Sequence, residues 1–346
     1  MMTLFEKLKV VSVKVRRIWW QWKASKLPHA QPNYVITTKK VALGVTLSGG
    51  EFTPGGIYPG NYGYPSLESI DYHASKGMKI VRLPFLWERI QPELCGELDA
   101  KEMGHISLTV DYIISKGMKV ALDLHNGGYY KGDVIGSKSV GDWDFANLWG
   151  RLASLYKHHG DNVLFMLMSE PTDQCARQWI KSVNAAISYI RKVGATQTIV
   201  VPGSYYDGGW TWCKSDNAKR VGQGVIDPGN NYMFEIHQYM DKDASGGTAG
   251  IVSPTIGADR LAEVTTWARL RGRKLFLGEF AAGTDQQSLE ALQNMLQYLA
   301  DNADVWEYAT WWGAGDRWSN YQFALDPEDY LNPIDRPQMA VLQKFI

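Results

Sequence analysis

The sequence predicts an α/β fold, a (β/α)8 barrel over residues 40–346, behind a basic amphipathic N-terminal extension over residues 1–39. Three observations carry that prediction. From residue 40 onward, eight short apolar runs alternate with longer stretches of helical periodicity, the pattern of a parallel sheet with crossover helices. The chain has 346 residues, 45% of them hydrophobic, long enough for a large core and short enough for one domain, and no proline- or glycine/serine-rich linker divides it. The rival architecture, an open doubly wound sheet, lacks its signals: no GxGxxG follows the first run and no GxxxxGK[ST] occurs anywhere.

The eight runs are residues 40–47, 79–85, 119–125, 162–170, 197–203, 232–239, 274–280 and 305–312. Between them, residues 101–116, 143–158, 175–193, 257–272 and 287–303 repeat apolar side chains at helical spacing, whereas 204–231 carries the weakest helical pattern. Two segments forty residues apart, "YHASKGMKIVRL" from Tyr72 and "YIISKGMKVALDL" from Tyr112, each leave a helix and enter a strand, with a glycine suited to the helix C-cap. The glycine- and proline-rich stretch 48–65 reads as a strand-to-helix loop, on the side of a barrel that builds active sites.

Lysine plus arginine equals aspartate plus glutamate, 36 each, so no summed field recruits nucleic acid, and an uncharged partner is expected. Cys95, Cys175 and Cys213 have no CxxC spacing and cannot all pair, which argues against a disulfide framework or zinc cluster but leaves one bridge open. The first 26 residues carry seven basic side chains against Glu6 alone. Their apolar residues recur along residues 4–22 as one stripe, suited to contact with an anionic membrane surface; a packing helix or a disordered tail fits equally well. The segment has neither the apolar run nor the cleavage site of a secretory signal.

In a parallel barrel every strand's carboxyl end faces one mouth, so the polar residues that end the runs converge. They are Arg82, His125, Glu170, His237 with Tyr239, Glu279, and Trp311 or Trp312. A polar residue at one strand end is usually a turn or cap; six together point to a site. Two carboxylates on different strands facing one cleft are what glycoside hydrolysis requires, one protonated and one ionised. Arg82 and Tyr239, if they reach Glu279, hold it charged as a nucleophile. Glu170, with histidines as candidate neighbours, is the better proton carrier. Pro171 is expected to restrict Glu170 to extended geometry at the rim.

The stretches "FMLMSEPTD", "EIHQYMDKDASGG", "KLFLGEFAAG" and "DVWEYATWWGAGDRWSNY" resemble glycoside hydrolase family 5, most of all its secreted bacterial and fungal endoglucanase branch, over residues 40 to about 330. The resemblance implies a retaining endo-β-1,4-glucanase needing no metal or cofactor, and a polysaccharide partner. On it, Glu170 matches the acid/base and Glu279 the nucleophile. Arg82 and Tyr239 match the groups that hold the nucleophile, His125 and His237 those lining the cleavage subsite, and Trp312 the platform under the sugar, with Trp311 as fallback. Asn126, Ser169, Tyr206 and Trp318 complete the expected substrate-binding or supporting set. A monomer working outside the cytoplasm, extracellular or periplasmic, is expected.

The chain departs from that pattern at Ser169, where the family has asparagine. A serine hydroxyl is shorter and is expected to weaken catalysis on plain glucan by about 1–3 kcal/mol, the cost of losing a good active-site donor. Thr46, Ser204, Tyr206 and Trp210 depart too, in segments read as substrate-binding loops. A decorated glucan as substrate explains these changes better than drift toward sugar binding without cleavage, because both glutamates, Arg82 and Tyr239 remain. The alternatives to a hydrolase are a carbohydrate-binding protein and a transglycosylase on the same fold. The absence of HExxH and of GxSxG argues against a metalloenzyme and a serine hydrolase.

Overall fold

The computed structural model describes residues 40–346; the extension over 1–39, with its proposed membrane contact at 4–22, lies outside the described residues. Eight parallel strands close into a barrel: β1 (Ala42–Leu47), β2 (Ile80–Phe85), β3 (Lys119–Leu124), β4 (Val163–Met166), β5 (Ile199–Val201), β6 (Tyr232–His237), β7 (Leu275–Phe280) and β8 (Trp306–Ala314). Each pairs with its sequence neighbours, and β1 closes on β8 through the register Ala42–Tyr308 to Val45–Trp311. All eight apolar runs therefore become barrel strands.

The crossovers are α1 (Leu67–Ser75), α2 (Ala100–Ser115), α3 (Asp142–Tyr156), α4 (Ala176–Lys192), α5 (Ile256–Leu270) and α6 (Gln286–Asp301), and α7 (Pro337–Leu342) follows β8. Local chemistry sets their ends. The Ser66 hydroxyl accepts the Ser69 N–H before α1, and Asp99 accepts those of Lys101 and Glu102 before α2. At the far ends Gly77 and Gly117 adopt φ of 89° and 78°, and the next N–H turns back onto the helix, Met78 to His73 and Met118 to Ile113. The repeated "SKGMK" is therefore a helix stop feeding a strand. Between β5 and β6 only Asn217–Val221 and Gly222–Gly224 are helical. Glycine-rich chain there cannot sustain the apolar period, as its weak pattern foretold.

Inside the barrel, Ile80, Ala121, Leu164, Met166, Val200, Met233 and Phe276 form a dry plug, with Tyr308 packed against it. Side chains alternate along a strand, so two residues further on the same inner face come Arg82, Asp123 and Glu235, a polar layer resting on the plug. Arg82 Nε sits 3.1 Å from Met166 Sδ at the seam. No helix among the described residues is long and apolar enough to cross a membrane. Cys95, Cys175 and Cys213 are all free.

Candidate active site

The polar layer is organised by one guanidinium. Arg82, fully buried, donates from Nη1 to Glu279 Oε1 at 2.6 Å and from Nη2 to Ser169 Oγ at 2.9 Å and Glu235 Oε1 at 3.1 Å, with Asp123 Oδ2 also 3.1 Å away. A rigid fork with five donors is suited to several carboxylates at once. Tyr239 donates its hydroxyl to the other oxygen of Glu279 at 2.8 Å.

Glu279 reaches the inner face through a shift in register. Ile236 pairs with Leu277 but His237 pairs with Glu279, so strict alternation from Phe276 is broken at Gly278 and Phe280 turns outward to pack edge-on against Trp311. Gly278 has a second role. A Cβ there would stand 2.6 Å from Glu235 Oε1 and 2.9 Å from His237 Nε2, so only glycine leaves room for that pair.

His237 joins the carboxylates. Its Nδ1 is 2.8 Å from Glu170 Oε1 and 3.5 Å from Glu279 Oε2, and its Nε2 is 2.8 Å from Glu235 Oε1. Burial works to strip the proton from this imidazole, but Glu279, Glu170 and Glu235 outweigh it and hold the group well above the ordinary histidine value. His125 behaves alike: burial opposes its charge, while Asp123, 2.9 Å from Nδ1, raises it. Glu279 shows the converse. Burial would raise it, yet His237, Arg82 and His125 pull it down to about 2, so it is an ionised, acceptor-only group. Tyr239, buried beside Glu279 and Glu170, is pushed well above its ordinary value and stays a hydroxyl donor.

Glu170 stands opposite. One of its oxygens and one of Glu279 lie within 4.8 Å of each other. Its side chain is 35% exposed against 6% for Glu279, so one carboxyl meets solvent and the other is sealed. The expected extended geometry at Glu170 is corrected: φ is +50°, in the left-handed region. The steric demand of Pro171 is overridden by bonds that bend the chain here, Ser169 C=O accepting from the Gly127 N–H at 3.1 Å and the Glu170 N–H donating to Asp207 Oδ2 at 2.9 Å.

Trp312, on the inner face of β8, stacks on His125 with ring centres 5.4 Å apart and 10° between planes, and meets Trp318 edge-on at 5.6 Å. Phe52, from the glycine-rich loop, packs on Trp318 at 5.0 Å, so that loop does help build the cleft. The fallback Trp311 faces outward, its Nε1 donating to the Phe323 carbonyl. Asn126 is a brace: its amide oxygen accepts the Trp87 N–H and its Nδ2 donates to Glu88. On the Glu170 side a cavity of about 320 Å3 is lined by Tyr206, Trp210, His237, Tyr239 and Ser245 among others. Tyr206 and Trp210 are open to solvent there, 61% and 39% exposed. Thr46 and Ser204 correct the expectation of substrate-binding loops. Both are fully buried and neither sits in an open loop: Thr46 lies within β1, level with Arg82 in the strand register, and Ser204 is bonded to Asn217 in a tight turn.

Two groups, Glu170–His237–Glu279 and Asp207–Glu235–His237, bring ligand-type atoms within metal-binding distance. Both nitrogens of His237 already face carboxylates, and the Arg82 cation stands beside Glu235 and Glu279, so neither group offers a free imidazole nitrogen and a cation there would sit against the guanidinium charge. Asp123 and Glu235 were not anticipated from sequence. Each lies two residues before a strand-end histidine, hence on the same face, and that spacing was the available signal.

The model of the cellulase family (glycosyl hydrolase family 5) matches residues 45–315. The chain belongs to glycosyl hydrolase family 5. This family 5 enzyme is 36% identical over 291 residues to endo-beta-1,4-glucanase B of Aspergillus niger, covering 83% of this chain and 85% of that one. It is 39% identical to an endo-beta-1,4-glucanase of Xanthomonas axonopodis pv. citri, with a TM-score of 0.84 over 88% of this chain and 98% of that one. XacCel5A, solved in complex with cellopentaose, aligns with a TM-score of 0.86 at 40% identity over 90% of this family 5 chain and 100% of its own.

Proposed function

We propose that this family 5 glycoside hydrolase cleaves internal β-1,4-glucosidic bonds of a glucan by double displacement, with Glu279 as nucleophile and Glu170 as acid/base. The observation that carries the reading is the separation of their oxygens, within 4.8 Å. Retaining enzymes hold their carboxyl groups about 5–5.5 Å apart, whereas inverting enzymes open about 6.5–9.5 Å to admit a water. In the first step Glu170 gives a proton to the leaving oxygen while Glu279 attacks the anomeric carbon and forms a glycosyl ester. In the second, Glu170 takes a proton from water, whose oxygen displaces Glu279. Arg82 and Tyr239 keep Glu279 ionised and aimed, and Trp312 offers an apolar face to the sugar ring. The relatives named as endo-beta-1,4-glucanases and the cellopentaose complex support a β-1,4-glucan. A polymer of that size supports work outside the cytoplasm.

A product profile tests the reading. Carboxymethylcellulose should lose viscosity faster than it gains reducing ends, mixed-linkage glucan should be cut only where β-1,4 bonds allow, and β-1,3-glucan should be untouched. Preferential cleavage of the β-1,3 polymer, or no cleavage of any, contradicts it.

A further inference from the structure

We propose that Asp207 is a positioning residue for the reaction, the side chain that holds Glu170 in its bent backbone conformation and so aims the carboxyl at the leaving oxygen. The inference rests on the reading of Glu170 as acid/base. Three observations converge on it.

Glu170 has φ of +50°, a conformation a side-chain-bearing residue keeps only when its surroundings enforce it. The enforcing contact is the fully buried Asp207, whose Oδ2 accepts the Glu170 N–H at 2.9 Å. Second, Asp207 is itself placed at a cost. Tyr205, Tyr206 and Asp207 have successive φ values of 59°, 60° and 54°, a run of three left-handed residues without a glycine. That turn is clamped to the end of β6: the Asp207 carbonyl accepts the His237 N–H and the Gly209 N–H donates to the His237 carbonyl, each at 2.9 Å. One residue thus fixes both Glu170, through its side chain, and His237, through its backbone. Third, the buried Asp207 Oδ1 and Glu235 Oε2 each have no hydrogen-bond partner among the described residues, and the two carboxyls come within 4.8 Å of each other. Burial and then the charge of Glu235 push the Asp207 carboxyl well above the usual carboxylate range. Held neutral, Asp207 still accepts from Glu170 with Oδ2, and its second oxygen becomes a hydroxyl beside the Glu235 carboxyl in place of a second negative charge.

The neutral acid has an isostere, asparagine, and the turn has a tolerant deletion, glycine, which suits φ of +54° without a side chain. Wild type, Asp207→Gly and Asp207→Asn are compared on phenyl and 2,4-dinitrophenyl β-cellobioside. Departure of phenol needs a proton from Glu170; departure of dinitrophenolate does not. The proposal expects Asp207→Gly to lower kcat/KM for the phenyl substrate by about 100-fold, in the range of lost general acid catalysis. The dinitrophenyl substrate should fall less than about threefold, and Asp207→Asn should recover most of the phenyl loss. The ratio of the two kcat/KM values does not depend on the fraction of enzyme folded. A ratio unchanged from wild type in Asp207→Gly overturns the proposal, as does failure of Asp207→Asn to restore it. Inactivity of wild type on both substrates would instead strike at the glucanase reading.

Discussion

His237 Nδ1 stands between the two glutamates, 2.8 Å from Glu170 and 3.5 Å from Glu279, while Nε2 is committed to Glu235. One imidazolium therefore links Glu170, Glu279 and the buried layer beneath them. Its folded value lies well above the ordinary 6.5, so its contribution to stability is fully present below that value and is lost as the pH rises through the folded one. His237→Asn should lower Tm more at about pH 6 than at about pH 10, read by thermal unfolding of both proteins. A gap that widens with pH would reverse the assigned charge.

Glu279 carries the opposite sign. Its value is lowered from 4.5 to about 2 by His237, Arg82 and His125 against burial, so its ion pairs stabilise the fold above pH 4.5 and are lost as the pH falls toward 2. Glu279, the proposed nucleophile, is then ionised throughout the mildly acidic range. With 2,4-dinitrophenyl cellobioside, which needs no acid, kcat/KM should stay flat from neutrality to about pH 4. An acidic limb centred near 4.5 would mean that Glu279 titrates as an ordinary carboxyl.

Gly278 is where the register shift and the Glu235–His237 pair meet. A methyl at this point would stand 2.6 Å from Glu235 Oε1, and both neighbours are buried. Gly278→Ala should cost about 1–3 kcal/mol in urea unfolding, the usual range for overpacking, and should reduce activity with it. Unaltered stability would show that the layer can yield.

Ser169 is almost fully buried and accepts from Arg82 Nη2 at 2.9 Å. An asparagine there can keep that bond through its amide oxygen and extend its amide N–H toward the sugar. Ser169→Asn should therefore raise turnover of cellulosic substrate by the equivalent of about 1–3 kcal/mol. An unchanged or lower turnover would refute this account of the position.

Much of the fold is legible because barrels advertise themselves: eight apolar runs, helix stops at Gly77 and Gly117, and polar residues at strand ends are each consequences of period and chain reversal. The strand-end rule located Arg82, Glu170, His237 and Glu279 because carboxyl ends converge whatever the loops do. It could not foresee the φ of Glu170, which is imposed by Asp207 from 37 positions away in sequence. Pro171 alone argued for the opposite geometry, and a local rule yielded to a tertiary bond. Thr46 and Ser204 misled for a related reason: a hydroxyl in sequence does not tell whether it lies in an open loop, and both are buried, Thr46 inside β1 and Ser204 in a turn closed by Asn217. Asp123 and Glu235 were readable by their two-residue spacing from a histidine, but only once the inner face of each strand is known.

The closest test of the central claim is the configuration of the first product. Proton NMR of cellopentaose hydrolysis, followed within the first minutes before mutarotation, should show the β-anomer of the new reducing end appearing first, because two displacements across a gap this narrow restore the original configuration. First appearance of the α-anomer would mean a single displacement by water, and Glu279 could not then be the nucleophile.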